Sequence, residues 1–282
     1  MLTFSRTLVP MRTGTGKPLF FVHGISATVA ECWELVSAMR SPRPVLGFQA
    51  RGLDGQEPAQ NRVEDIAAAY VEQMRAVQPN GPYAVAGYSF GGLVALEMAH
   101  QLQRVGEPLE FLCLLDCYAN ERWLPLRPWL RCRYRFLAGQ WRKLRAVPAA
   151  QLSAYLRDKL VGAVNRVRVR FGYVVRQPKG YRATLSPVLQ HVQDTLWVAM
   201  VRYRPRPWHA GPIVYVRAAV VPEDATDPMP LWHRIARNGL TYVEVETSHA
   251  GMLEAPYAEV VAAVLDKGLK GVKEIKGLTR AG

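Results

Sequence analysis

"VAGYSFGGLVALEMA", residues 85–99, places one serine between glycines where an apolar run gives way to a helical pattern. Two readings compete for Ser89. Either it is a nucleophile held up at a sharp bend, or it is an ordinary polar residue in a turn that matches G-x-S-x-G by chance. The flanking residues favour the first. "YAVAG" (83–87) reads as a buried strand, and 91–105 reads as a helix that stops at Gly106. Strand, Gly87-Tyr88-Ser89-Phe90-Gly91, helix is the order in which this motif carries a nucleophile. So tight a turn leaves no room for large side chains beside the serine, and glycine at both ends relieves the crowding. The hydroxyl then stands clear of the sheet above the positive end of a helix.

Outward from the bend, strands and helices alternate. "PLFFVHG" (18–24), "PVLGFQA" (44–50) and "LEFLCLLD" (109–116) are short, dense apolar runs suited to buried strands. Val63, Ile66, Ala67, Tyr70, Val71, Met74 and Val77 recur at helical spacing, with Asn61 and Glu64 placed as a capping pair, and "QPNGP" ends that helix. After a long interruption come "PIVYVRAAVV" (212–221), a helix over 229–237, "LTYVEVE" (240–246) and the amphipathic "YAEVVAAVLDKGLK" (257–270). This alternation predicts an α/β fold, a mostly parallel central sheet with helices on both faces. One core spanning 1–282, interrupted by a 94-residue insertion over 118–211, fits better than two domains.

A serine hydroxyl is a weak nucleophile until a base takes its proton. Of the six histidines, His249 in "ETSHAGMLEAP" follows the last strand and precedes the last helix, the chain position of the base in a serine hydrolase of this layout. His23 ends the first buried strand and reads as a loop-shaping residue. His100, His191, His209 and His233 fall in helical or irregular segments. A carboxylate should orient the imidazole. The residues alone leave two candidates open: Asp116, at the end of "LEFLCLLD", and Asp224, in "VVPEDATD" after the next strand.

Composition narrows the alternatives. With 49% hydrophobic and 21% charged residues, and no apolar run of the roughly 20 residues a bilayer span needs, the chain predicts a globular cytoplasmic protein. Cys32, Cys113, Cys117 and Cys132 form no CxxC pair, so neither structural zinc nor a disulfide framework is expected. The net charge of +13 is confined: within 118–182 sixteen Lys and Arg stand against only Glu121 and Asp158, leaving the remainder close to neutral. Such a segment calls for an acidic partner. No RNA-binding aromatic signature or helix-turn-helix pattern points to nucleic acid.

"PLFFVHG", "PVLGFQARGLDGQEP", "VEDIAAAYVEQMRAVQPNGPYAVAGYSFGGLVALEMAHQL", "LLD" and "SHAGMLEAP" together resemble the thioesterase domains that release products from polyketide synthases and nonribosomal peptide synthetases, within the α/β-hydrolase superfamily. The resemblance covers about 8–116 and 203–265. It implies that Asp116 is the acid, although editing (type II) thioesterases of the superfamily use the later position, which keeps Asp224 as the alternative. It implies oxyanion-hole N–H groups on Phe90 and Ile25, where "HGISATVAECW" departs from the family's usual loop. It implies a helical lid over 118–211 and no metal or redox cofactor. It also implies an acyl or peptidyl carrier protein as partner, its phosphopantetheine thioester opened through an acyl-Ser89 ester by hydrolysis or cyclisation. Carrier proteins are typically acidic, so the basic 118–182 segment would dock one; a solvated helix face is the plain alternative. Leu152, Leu156, Leu160 and Val164, at helical spacing, are expected to pack on the sheet, or else to line an acyl pocket. A small-molecule carboxylesterase would share the triad. A non-catalytic binder of an acidic partner would leave Ser89, Asp116 and His249 unexplained.

Overall fold

The central strands are apolar runs because both faces of the sheet are covered there. A computed structural model describes residues 7–175, 184–222 and 225–275. Seven strands, β1 (Leu8–Arg12), β2 (Leu19–Val22), β3 (Val45–Phe48), β4 (Tyr83–Tyr88), β5 (Leu109–Leu115), β6 (Ile213–Ala218) and β7 (Leu240–Val245), lie in the order β1-β3-β2-β4-β5-β6-β7. All neighbours pair in parallel except β1 and β3. Side chains alternate across the sheet. Phe20, Val22, Val85 and Leu112 join one buried cluster with helices α2 (Val63–Val77) and α3 (Phe90–Arg104). Phe21, Ala86, Cys113 and Val214 join a second with α1 (Trp33–Ala38) and α8 (Tyr257–Lys270). Each large apolar side chain buried in this way contributes about 1.5–3 kcal/mol.

Among the described residues, three α-helices lie between β5 and β6: α4 (Leu126–Arg145), α5 (Leu152–Arg170) and α6 (Pro187–Arg202). The short α7 (Met229–Ile235) follows β6. Only α6 is well buried, through Val192, Leu196 and Ala199. Its start is fixed by Ser186, whose Oγ accepts the Leu189 N–H, and by Pro187 in the first turn. The two ends of the insertion are tied together: Arg122 donates to the carbonyls of Val201 and Arg202, and Trp123 Nε1 donates to Tyr203 O at 2.8 Å. The returning chain is clamped to α3 where buried Glu97 accepts from Tyr203 Oη and from Arg206 through both carboxylate oxygens.

Two expectations are corrected, and one strand is added. Leu152, Leu156, Leu160 and Val164 are exposed and neither pack on the sheet nor line the cavity described below, and α5 buries only Val169. The Asn61/Glu64 capping pair does not form: α2 begins one residue later, with Arg62 at the cap position beside Glu64 and Asp65. The chain over 8–12 is a strand that the alternation did not announce. Its Pro10 is tolerated because β1 pairs on one side only, at the sheet edge.

Candidate active site

The ends of the central strands converge on one point, the C-terminal edge of a parallel sheet where ligands bind in open α/β folds. Val22 pairs with Gly87, and Tyr88 with Leu115, so the residues following β2, β4 and β5 emerge side by side.

Ser89 has φ 54° and ψ −118°, a conformation that L-residues seldom adopt and that costs on the order of 1–3 kcal/mol. Its surroundings impose it. The Ser89 N–H donates to Leu115 O at 2.8 Å, and α3 starts at the next residue. A Cβ on Gly87 would overlap the Gly91 carbonyl, and one on Gly91 would overlap the carbonyl oxygens of Val22 and His23. The glycines are therefore present for close backbone approach, which lets β4 turn directly into α3.

His249 lies on the loop after β7. Its Nε2 is 3.0 Å from Ser89 Oγ, and its Nδ1 is 2.6 Å from Asp116 Oδ2. Asp116 is buried at the end of β5, also with positive φ (41°), and its Oδ1 accepts the Ala218 N–H from β6 at 3.1 Å. The carboxylate is thus fixed from the sheet side and presents one oxygen to the ring. With Nδ1–H donating to Asp116, the Nε2 lone pair faces the serine hydroxyl. Asp224, the alternative acid, lies outside the described residues.

Two groups hold His249 that the sequence reading passed over. Tyr88 stacks on the imidazole at 4.8 Å between centroids and donates its hydroxyl to the His249 carbonyl at 2.9 Å. Tyr118 meets the ring edge-on at 6.2 Å. Burial pushes both phenols up, with Glu31 adding to the shift at Tyr88 and Asp116 at Tyr118, so both stay neutral. Tyr88 sits inside the G-x-S-x-G motif itself, a position that could have drawn attention to it.

The loop after β2 borders the same point. His23 is fully buried, and that burial lowers its pKa to about 4. The neutral ring donates Nδ1–H to Gly24 O and faces Tyr70 Oη through Nε2 at 3.0 Å. The Gly24 N–H donates to Glu31 Oε1 at 2.9 Å, and burial raises the Glu31 pKa. Pinned on both sides, the loop places Ile25 in the wall of the cavity that contains Ser89. Phe90 is the first residue of α3, where a backbone N–H has no intrahelical acceptor.

That cavity, about 1020 Å³, is lined by Ser89, Asp116 and His249 at its base and by Leu124, Trp197, Met200, Val220 and Leu231 on its walls. Arg133 of α4 and Arg166 of α5 also border it. Among the described residues no group of three or more His, Cys, Asp or Glu side chains converges as a metal site, and no helix is long and apolar enough to cross a membrane.

Residues 17–128 match the family model described as Thioesterase domain. Malpibaldin synthetase of Mortierella alpina is 31% identical over 251 residues, 87% of this chain and 4% of the synthetase. A dimodular nonribosomal peptide synthase of Bacillus subtilis (strain 168) is 41% identical over 122 residues, 43% of this chain and 5% of that protein. The chain therefore spans only a small fraction of the curated relatives it matches. Among solved structures, the NocB thioesterase domain in covalent complex with a fluorophosphonate nocardicin G analogue superposes with a TM-score of 0.63 at 18% identity, covering 93% of this chain and 99% of that domain. The matched segment carries the serine bend and Asp116, and the superposition extends the likeness through the helices between β5 and β6 to the sheet beyond. The chain belongs to the thioesterase domain family, on the α/β-hydrolase fold.

Proposed function

We propose that the chain is a serine thioesterase that releases an acyl or peptidyl chain from the phosphopantetheine thioester of a carrier protein. The observation that carries this reading is the hydrogen-bonded series Asp116–His249–Ser89 at the base of a large, mostly apolar cavity. Ser89 Oγ attacks the thioester carbonyl as His249 Nε2 takes its proton. Asp116 stabilises the resulting imidazolium and holds its tautomer. The N–H groups of Phe90 and Ile25 meet the developing oxyanion, the role that preorganised backbone donors fill in acyl transfer. Collapse of the tetrahedral intermediate breaks the C–S bond, and His249 returns the proton to the departing pantetheine sulfur. Water, or a hydroxyl or amine of the chain itself, then attacks acyl-Ser89 with His249 again as base, giving the acid or a ring.

The insertion over 118–211 acts as the lid of this single unit. Its basic part, 118–182, meets the carrier protein. Arg133 and Arg166 support that role, because they border the cavity where the arm and its phosphate would enter. Comparing turnover of carrier-bound acyl thioesters, acyl-pantetheine thioesters and matched oxygen esters tests the reading. Preference for the thioesters supports it; faster turnover of simple oxygen esters would identify a carboxylesterase instead.

A further inference from the structure

Helix α4 carries seven Lys and Arg and no acidic residue over twenty positions, yet none of its residues is buried. Its contact with the core runs through Trp129 and Cys132. Attraction of an acidic, water-soluble partner needs only the cations. The helix offers more than that: Leu126, Leu130, Tyr134, Leu137 and Trp141 are all exposed, from 51% at Leu130 to 75% at Tyr134. At roughly 100° per residue these five fall within an arc of roughly 80°, and Arg127, Arg131 and Arg142 occupy the adjoining arc. A continuous row of Leu, Tyr and Trp bordered by arginines is the layout of a helix lying in a membrane interface. The apolar row enters the headgroup–acyl boundary and the long basic side chains reach lipid phosphates. α5 repeats the composition, with exposed Leu156, Leu160 and Val167 among Arg157, Lys159 and Arg168.

We propose that the outer face of α4 docks this protein on an anionic lipid surface. The occupant is argued from charge. A second copy of the chain would bring seven more cations against the seven already there, whereas an anionic bilayer complements both the arginines and the apolar row. Docking of this kind is peripheral and leaves Ser89 and the cavity free to work, so it stands or falls apart from the thioesterase reading.

Co-sedimentation tests it. The whole protein is mixed with vesicles of phosphatidylcholine alone or of equimolar phosphatidylcholine and phosphatidylglycerol, and the fraction of protein pelleted with the vesicles is measured for the parent and the variant. Binding to the anionic vesicles is expected to exceed binding to the neutral ones by at least about ten-fold and to weaken with salt. L130S/L137S/W141S, which keeps every charge, should lose about ten-fold or more of that binding. Its thermal midpoint and its turnover of an acyl-pantetheine thioester should match the parent, which separates loss of docking from loss of fold. No binding to anionic vesicles at low salt would overturn the proposal. So would binding that survives the triple substitution, since charge alone would then explain it. Finding instead that the triple substitution weakens affinity for an acidic carrier protein, with vesicles unbound, would assign the face to that partner.

Discussion

His249 is held by three different forces. The Asp116 carboxylate fixes its Nδ1, the Tyr88 ring fixes its plane, and the Tyr88 hydroxyl fixes its backbone carbonyl. Removing the negative charge while keeping the shape isolates the first of these. Asp116→Asn should lower kcat on an acyl-pantetheine thioester by roughly 10³–10⁴-fold, because an amide favours the wrong imidazole tautomer. Asp224→Asn should leave kcat near the parent value. The reverse ranking in steady-state assays would move the acid to Asp224. His23 shows the opposite use of a histidine. Its folded pKa, about 4, lies below the ordinary 6.5, so the unfolded chain binds the proton first and acid favours unfolding. The stability tied to neutral His23 is complete above pH 6.5 and falls away towards pH 4, by about 3 kcal/mol in all. Urea midpoints measured across that window should fall less steeply for His23→Asn than for the parent; parallel curves would show that His23 is not the group responsible. Ser89, Asp116 and His249 could be picked out in the sequence because each follows a strand in a fixed chain order, whereas Asp224 lies outside the described residues. Tyr88 and Glu31 could not be, because their partners lie 161 and 7 residues away and nothing in local spacing marks a ring stacked across the sheet edge.

At the scale of elements, the bend between β4 and α3 couples the fold to the chemistry. Gly91 packs without a side chain on the carbonyls of Val22 and His23, the residues that lead into the loop bearing Ile25. Gly91→Ala should therefore do two things at once: lower the thermal midpoint and reduce kcat more than it changes KM, since the displaced loop bears Ile25, the proposed oxyanion donor, beside Ser89. A normal kcat in a destabilised variant would separate the glycine from the chemistry. The strands β2 to β6 were legible because they are largely buried on both faces and so read as dense apolar runs, and β7, buried only at Val243 and Val245, because it is rich in β-branched and aromatic residues. β1, an edge strand of mixed burial containing proline, gives no such signal. The helix α5 misled for a related reason. Apolar residues four apart mark a helical stripe but not what covers it, and here Leu152, Leu156, Leu160 and Val164 face outward. Periodicity establishes that a face exists; only the tertiary structure says where it points.

Charge organises the whole molecule. The excess of cations lies in the segment between β5 and β6, while the rest of the chain is close to neutral. Arg133 and Arg166 border the cavity, which makes them the pair to test for carrier recognition. Charge reversal at both should raise KM for an acyl-carrier-protein substrate several-fold. It should barely change KM for an acyl-pantetheine that lacks the phosphate, because steering acts on the acidic partner and not on the bond being broken. Raising salt should reproduce the selective loss as the Debye length shrinks towards about 8 Å. Equal losses on both substrates would place the damage in the fold of the segment between β5 and β6.

The catalytic expectations rest on a covalent acyl-Ser89 intermediate, which can be seen directly. The protein is incubated with acyl-pantetheine thioesters, quenched, and analysed by intact-protein and peptide mass spectrometry. The account requires the acyl mass on the peptide that contains Ser89, its disappearance as free acid or ring is formed, and neither acylation nor appreciable turnover in Ser89→Ala, whose kcat should fall by at least ~10³-fold. An acyl group on another residue, or turnover by Ser89→Ala at the parent rate, would contradict it.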